Sequence, residues 1–437
     1  MRNISTIETS LGELIHFRRL EKSMTLDQLS DKVGIHKGYI SKLENGAIKV
    51  PGFSKILPIS LELGISFQDI VEKYIEINPN PEALMEILTE AISKSSPSSL
   101  IEKIANKFLE SERATTEDSV ERLYSFTIGL TDTAYKLTLL QIIIAFADSH
   151  SVRPFWAKSL FQYYLLKRDD FEKLRETYEI GKEALPHARF LSPEEQLTFY
   201  YKLGAHAYHL GKYSECIDYC KEVVSLEKSD SALKAYATDF ISFCYYFIGQ
   251  FDMAEKYIQM LSKFKFPFIK EKIDFMTAKL NEKKGNVDLA VQQLEKCLEN
   301  HSYKVTIMDD LLELYLKQKN LNAIEKLFQW EADFVDVEQN NNPALIAEYA
   351  NYFAKKSEYF ELTQDHKQSF HYLLKSIMMF ISVDRYREAT KCVGMLIDKI
   401  CNHANVLNED SEILDKLKMV AAYLKSHKDK FRKGDVA

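Results

Sequence analysis

Apolar residues recur every three to four positions along nearly the whole chain, the spacing that lines one face of an α-helix. The first run is Leu11, Leu14, Ile15 and Leu20, with Phe17 partly on the same face, and it predicts a helix over 10–22. Thr25 is a helix-capping residue, and Gln28 three positions on completes a capping box. A second helix is therefore expected from Leu26 to Val33, with Gly34 allowing a sharp turn after it. A third runs from His36 to Glu44 and ends at Asn45-Gly46. Two short helices joined by a tight glycine-containing turn form a helix-turn-helix, its inner faces closed by Leu26, Leu29, Val33, Ile35, Ile40 and Leu43. Residues 53–75 read as two more helices, punctuated by Pro58 and Gly64. Asn78-Pro79-Asn80-Pro81 is strongly turn-like. The expected organisation is a head over 1–72, a linker over 73–81 and a helical body over 82–437.

Within the body, residues 82–160 keep the helical rhythm, with a serine-rich break from Lys94 to Ser99. From residue 160 a marker recurs: a turn residue, an apolar residue two later, and a small or apolar one five later. It appears at Asp169-x-Phe171-x-x-Leu174, Gly211-x-Tyr213-x-x-Cys216, Gly249-x-Phe251-x-x-Ala254, Gly285-x-Val287-x-x-Ala290 and Lys319-x-Leu321-x-x-Ile324. The steps shorten from 42 to 38, 36 and 34 residues. A period near 34 is that of the tetratricopeptide repeat, a pair of antiparallel helices. Leu203-Gly204, Tyr245 and Tyr315 stand where that repeat places its Leu-Gly and tyrosine, while its tryptophan is missing throughout. Asp365-His366-x-x-Ser369-Phe370 and Asp384-x-Tyr386-x-x-Ala389 read as degenerate copies. A last amphipathic helix over 411–430, carrying Ile413, Leu414, Leu417, Val420, Ala421 and Leu424, is expected to cap the array. The fold class is all-α: a helix-turn-helix domain followed by a right-handed superhelix of tetratricopeptide repeats. The scarcity of glycine (14) and proline (10) agrees with so helical a chain.

Charge sharpens this picture. The net charge is −7, but residues 1–50 hold 8 Lys+Arg against 6 Asp+Glu, so a slightly basic head precedes an acidic body. The outward face of the third helix carries Lys37, Gly38, Ser41 and Lys42. Lysines suit phosphates, short polar side chains suit base edges, and a glycine lets backbone approach a groove. The candidate DNA-contacting set is Thr25, Gln28, His36, Lys37, Gly38, Tyr39, Ser41 and Lys42. In a repeat array the first helix of each pair lines the inner face. Counting back from the markers places Tyr163, Tyr201, Tyr208, Asp239, Tyr246, Lys279, Asp309 and Glu313 inward. Aromatic area with a few charged anchors suits an extended peptide.

Other chemistry is not written in the chain. There is no G-x-G-x-x-G, Walker loop, G-x-S-x-G or H-E-x-x-H pattern, so neither an enzyme nor a cofactor is expected. Six cysteines with no CxxC pair argue against a disulfide scaffold, and Cys216, Cys220 and Cys297 fall on packing positions. His206 and His209 share a helix face without a third ligand, so no metal is expected. The most apolar stretch, Leu137 to Ala147, is too short to span a bilayer, and the polar N-terminus carries no signal core. A cytoplasmic protein is expected.

The run Thr25-Leu26-x-x-Leu29-Ser30-x-x-Val33-Gly34-Ile35, then Ile40-Ser41-x-Leu43-Glu44-Asn45-Gly46, resembles the Xre/Cro-type helix-turn-helix family. His36 departs from that family's usual serine or threonine cap. Such a head on divergent tetratricopeptide repeats resembles the RRNPP family of Gram-positive quorum-sensing regulators. Between Phe171 and Cys220 the chain looks most like the NprR branch. The resemblance implies a homodimeric or larger transcription regulator binding palindromic DNA and a short re-imported signalling peptide. It also implies groove asparagines that clamp the peptide backbone, a role open here to Asn351 and less clearly to Asn281. The alternative it offers is a Rap-like regulator that binds a sporulation response regulator and promotes its dephosphorylation. A scaffold without a small ligand is a third reading, disfavoured by the intact head motif.

Overall fold

In a computed structural model the chain is all-α. The structure describes residues 10–77, 79–170, 173–300, 304–333, 342–403 and 411–426, and there is no strand among them. No described helix is long and apolar enough to cross a membrane. The chain divides into two compact units, Met1–Leu166 and Lys167–Ala437.

The first unit opens with α1 (Leu11–Glu21), α2 (Leu26–Val33), α3 (Lys37–Glu44), α4 (Phe53–Glu62) and α5 (Phe67–Glu76). Leu11, Ile15, Leu29, Ile40, Leu43, Ile56 and Ile59 are buried between them. The expected face of α1 is rotated, since Phe17 and Leu20 are exposed and Arg19 occupies the third inward position. Arg19 is tolerated there because Glu44 of α3 meets it with two hydrogen bonds of 2.7 Å, and Nη1 donates to the Met24 carbonyl at 2.8 Å. Pro58 sits inside α4 and does not break it. The expected linker lies within this unit: α5 continues to Glu76, and Asn80 caps α6 (Pro81–Ser93). Asn78 lies outside the described residues. The unit continues through α7 (Ser98–Leu109), α8 (Thr116–Gly129), α9 (Thr133–Ser149) and α10 (Arg153–Lys167). Lys103 of α7 pairs with Glu72 of α5 at 2.7 Å, so the head and the following helices share one unit.

The second unit begins with α11 (Leu174–Ala184) and the 3-10 turn Leu185–Phe190. Helix pairs follow: α12 (Pro193–His209) with α13 (Tyr213–Leu226), and α14 (Ala232–Phe247) with α15 (Phe251–Leu261). Next come α16 (Ile269–Lys283) with α17 (Val287–Asn300), and α18 (Lys304–Gln318) with α19 (Leu321–Phe328). The chain ends in α20 (Pro343–Leu362), α21 (His366–Ser382), α22 (Tyr386–Asn402) and α23 (Ser411–Ser426).

The recurring marker has a backbone cause. Gly211, Gly249 and Gly285 sit at φ 73°, 79° and 87°, the left-handed conformation that ends one helix so the next can fold back. Lys319, Gln364 and Asp384 adopt it at 53°, 62° and 57° without being glycine. The copy near 365 therefore reads Gln364-x-His366-x-x-Ser369, one residue earlier than expected. Asp384 comes only 20 residues later and turns α21 directly into α22, so it is not a separate repeat. Asp169 does not share the conformation, and Phe171 lies outside the described residues. At Gly204 a Cβ would approach Cys220 Sγ to 2.8 Å, which explains the Leu-Gly pair of the first repeat. In α23, Ile413 and Val420 are buried and Leu414 is exposed.

The array closes on itself. Leu174 of α11 shares a core with Ala347 and Ala350 of α20, Phe370 of α21 and Ala389 of α22. Across this seam the Arg175 backbone N–H donates to Asp384 Oδ2 at 3.2 Å, and Arg385 Nη1 donates to the His209 carbonyl at 2.7 Å. The buried Tyr386 hydroxyl donates to Asp384 Oδ1 at 2.6 Å. Removing the Asp384 carboxylate takes away the short acceptor of that hydroxyl, which keeps only a longer contact to the Tyr423 hydroxyl at 3.4 Å, and it also removes the acceptor of the Arg175 N–H, so Asp384→Ala is expected to cost about 1–3 kcal/mol. Asp384→Asn, which retains an acceptor and tolerates positive φ, is expected to cost less than half as much. Urea midpoints of the two variants, followed by circular dichroism, check both.

Candidate functional site

In the head, α2 starts at Thr25, whose Oγ1 accepts from the Gln28 N–H at 3.2 Å while Gln28 Oε1 accepts from the Thr25 N–H at 2.8 Å. His36 proves an adequate substitute for a hydroxyl cap: its Nδ1 accepts from the Gly38 N–H at 3.1 Å, fixing the start of α3. Lys42 is exposed and Ser41 half-buried. Lys37 is exposed and pairs with the exposed Asp27 at 2.7 Å, a pair that salt or a phosphate can replace at little cost. Tyr39 is half-buried, under the Lys55 ammonium at 4.6 Å, so it braces α3 against the start of α4.

The second unit holds a partly open cavity of about 1030 Å³. Tyr201 and Tyr208 of α12, Asp239 and Tyr246 of α14, Lys279 of α16, Asp309 and Glu313 of α18 and Asn351 of α20 all line it. Tyr163 does not. It belongs to α10 in the first unit, where its hydroxyl accepts from Gln141 at 3.1 Å. Asn281 is also elsewhere, donating to Gln293 at 2.8 Å. The lining residues that the sequence reading missed include Arg168, Lys202, Lys272, Glu348, Lys355 and Arg385. Four of them were within reach. Lys272 lies two turns before Lys279, Glu348 and Lys355 flank Asn351 at helical spacing, and Lys202 shares a face with His209. Arg168 and Arg385 stand in turns, where periodicity says nothing.

Most cavity acids have a cation. Asp239 pairs with Lys272 at 3.0 Å, Asp310 with Lys279 at 2.6 Å, and Glu282 with Lys283 at 3.0 Å. Lys355 holds both Asp309 at 2.9 Å and Glu313 at 2.8 Å. Lys279 also lies 5.0 Å from the centre of the Tyr246 ring. Burial pushes the Asp309 carboxyl up to about 6, against the pull of Lys355. Glu348, which accepts from the Thr306 hydroxyl, is pushed up to about 7 by burial and by the neighbouring Asp309 and Asp310 charges. Glu313 is held down at about 2, its two lysines outweighing burial. Burial drives His209 down to about 3, so it is neutral. One oxygen each of Asp239 and Asp309 is buried without a hydrogen-bond partner. The cavity wall is thus aromatic and charged.

A second polar cluster joins Glu361, His366 and His403. Glu361 Oε1 meets His403 Nε2 at 2.7 Å, and its Oε2 accepts from Lys399 and Ser369. The two imidazoles are stacked 3.7 Å apart and nearly parallel, so one ion cannot lie in both ring planes.

Residues 15–70 match the family model described as helix-turn-helix. The chain is accordingly a helix-turn-helix domain followed by tetratricopeptide-like helical repeats. No curated protein matches it in sequence. Among solved structures it is similar to a tetratricopeptide repeat protein from Parabacteroides merdae ATCC 43184, at 12% identity and TM-score 0.48, covering 63% of this chain and 98% of that one. It is similar to the apo form of RapI at 13% identity and TM-score 0.41, covering 62% and 100%. It is also similar to Bacillus thuringiensis PlcR, solved with the peptide PapR7 and DNA, at 14% identity and TM-score 0.28, covering 87% and 98%.

The raised carboxyls give the second unit a pH signature. A group whose folded pKa exceeds its unfolded value adds stability that is complete below the unfolded value, near 4.5 for Glu348, and lost as pH rises through about 7. Glu348→Gln keeps an acceptor for Thr306 and removes the buried charge. It is expected to stabilise the protein by on the order of 1–2 kcal/mol at pH 8 and to change little at pH 4. Melting temperatures at the two pH values check this, and an equal effect at both would contradict it.

Proposed function

We propose that this chain is a cytoplasmic, peptide-responsive transcription regulator that acts by binding and not by catalysis. Its head reads palindromic DNA as part of a homodimer or larger assembly, and the cavity of its second unit takes a short signalling peptide. The observation that carries this reading is the presence, in one chain, of a helix-turn-helix head and an aromatic and charged cavity of about 1030 Å³. Small-molecule pockets run from about 300 to 1,000 Å³, so this volume, at the top of that range, has room for several residues of peptide. Peptide can alter DNA binding only by favouring one arrangement of the protein over another. The finer resemblance, to the NprR branch of quorum-sensing regulators, belongs to this reading. It rests on the residues between Phe171 and Cys220. The response-regulator alternative rests on resemblance alone.

The head is tested with DNA selected from a random-sequence pool by the full-length protein. Lys42→Glu places a carboxylate on the exposed face of α3, where phosphates or base edges would meet it. It is expected to weaken binding of the selected DNA at least tenfold while leaving the melting temperature unchanged. Wild-type affinity in this variant would remove α3 from the DNA interface.

A further inference from the structure

The charge pairing in the cavity is uneven. The cavity lysines of α16 and α20 each meet a cavity carboxylate, as set out above, whereas the cations beside α12 do not. Lys202 is half-buried and makes no hydrogen bond or ion pair among the described residues. Its amine is held below the ordinary lysine value by burial and by the neighbouring Arg168 charge. Arg168 spends one nitrogen on Asp169 at 3.2 Å, a carboxylate that is 69% exposed, and its Nε is buried without a partner. His209, between the arginines, has an unpartnered buried Nδ1. Arg385 commits Nη1 to the seam and Nη2 to Glu388 at 2.7 Å, leaving a buried Nε without a partner. Arg168, Lys202 and Arg385 therefore bring three cations to one side of the cavity, and Lys202 has no carboxylate partner among the described residues.

Buried charges of one sign are costly unless something neutralises them, and a guanidinium fork matches a planar carboxylate. We propose that the α12 side of the cavity is a carboxylate subsite, and that the ligand is a short peptide presenting a carboxylate to Arg168 and Lys202. Arg385 contributes field there but no free fork, because both its terminal nitrogens are engaged. The Tyr201 and Tyr208 rings beside these cations supply the apolar wall a peptide chain needs. The carboxylate is either the peptide's C-terminus or an aspartate or glutamate side chain. The subsite rests on the peptide reading given under Proposed function.

The test uses the full-length protein and two random heptapeptide libraries, one with free C-terminal carboxylates and one amidated. Peptides retained by the protein on gel filtration are identified by mass spectrometry, and the best is resynthesised in acid, amide and Asp→Asn or Glu→Gln forms for calorimetry. Retained peptides are expected to carry a carboxylate in every case. Whichever of amidation or side-chain neutralisation costs tenfold or more in Kd identifies its source. Lys202→Met should impose the same loss on the carboxylate form and none on the neutralised form. Arg168→Gln, run in parallel with melting temperatures for both variants, should act in the same direction. Retention of acid-free peptides, bound equally by wild type and Lys202→Met, would overturn the subsite and leave the peptide reading standing. Retention of no peptide from either library would overturn both.

Discussion

The seam between the first and last helices of the second unit is the constraint on which its chemistry depends. A stack of helix pairs left open would present a solvated groove, where a lone carboxylate oxygen or guanidinium nitrogen is satisfied by water. Here Asp384 receives the Arg175 backbone and the Tyr386 hydroxyl, and Arg385 reaches the His209 carbonyl, so the stack is drawn into a ring. The three residues sit where α21 turns into α22, and Asp384 can occupy that turn because aspartate tolerates positive φ better than most side chains. Burial then raises the Asp309 and Glu348 carboxyls. The same residues in an open groove would be an ordinary mixed-charge surface.

The head solves a smaller version of the same problem. Two short helices bury too little apolar area to fix their angle, and α1 contributes only Leu11 and Ile15 to the core beneath them. The Arg19–Glu44 pair ties α1 to α3, while the remaining Arg19 nitrogen reaches Met24 between α1 and α2. A buried ion pair is weak evidence for stability, since desolvation offsets its attraction, but it fixes geometry because either charge alone would be expensive. His16 adds a further contact to Glu44 at 2.7 Å. The orientation of α3 is thus set by a polar lock as much as by packing.

How much of this was legible follows from what each signal encodes. Periodicity carried the helices and turn residues carried the repeats, because left-handed turns favour glycine and a glycine every 36 to 38 residues stands out. The signal faded where lysine, glutamine or aspartate took the same conformation, which explains the one-residue slip at Gln364. Seven of the eight inward positions counted from the markers meet in one cavity, because a helix face extends predictably from any point on it. Tyr163 failed because the array was started one helix too early. Arg19 was illegible because a buried arginine looks like a surface residue until its acid, 25 positions away, is placed beside it. Arg168 and Arg385 were illegible for a related reason: turn residues enter a cavity only once the ring has closed.

Closure also decides what kind of recognition the cavity can perform. An apolar pocket separates ligands by roughly 1–3 kcal/mol per methylene, whereas a site built around unpaired buried polar groups rejects a ligand that leaves them unpaired far more strongly. The aromatic wall of Tyr201, Tyr208 and Tyr246 offers area with little discrimination. The discrimination comes from the surplus cations beside α12 and the spare oxygens of Asp239 and Asp309. These two sets of atoms ask for opposite things, an acceptor in one place and a donor in the other. A ligand that supplies only one leaves the other buried and unpaired, and a single small ion cannot supply both. A ligand that carries both acceptors and donors along its length can, and the proposed peptide is of that kind.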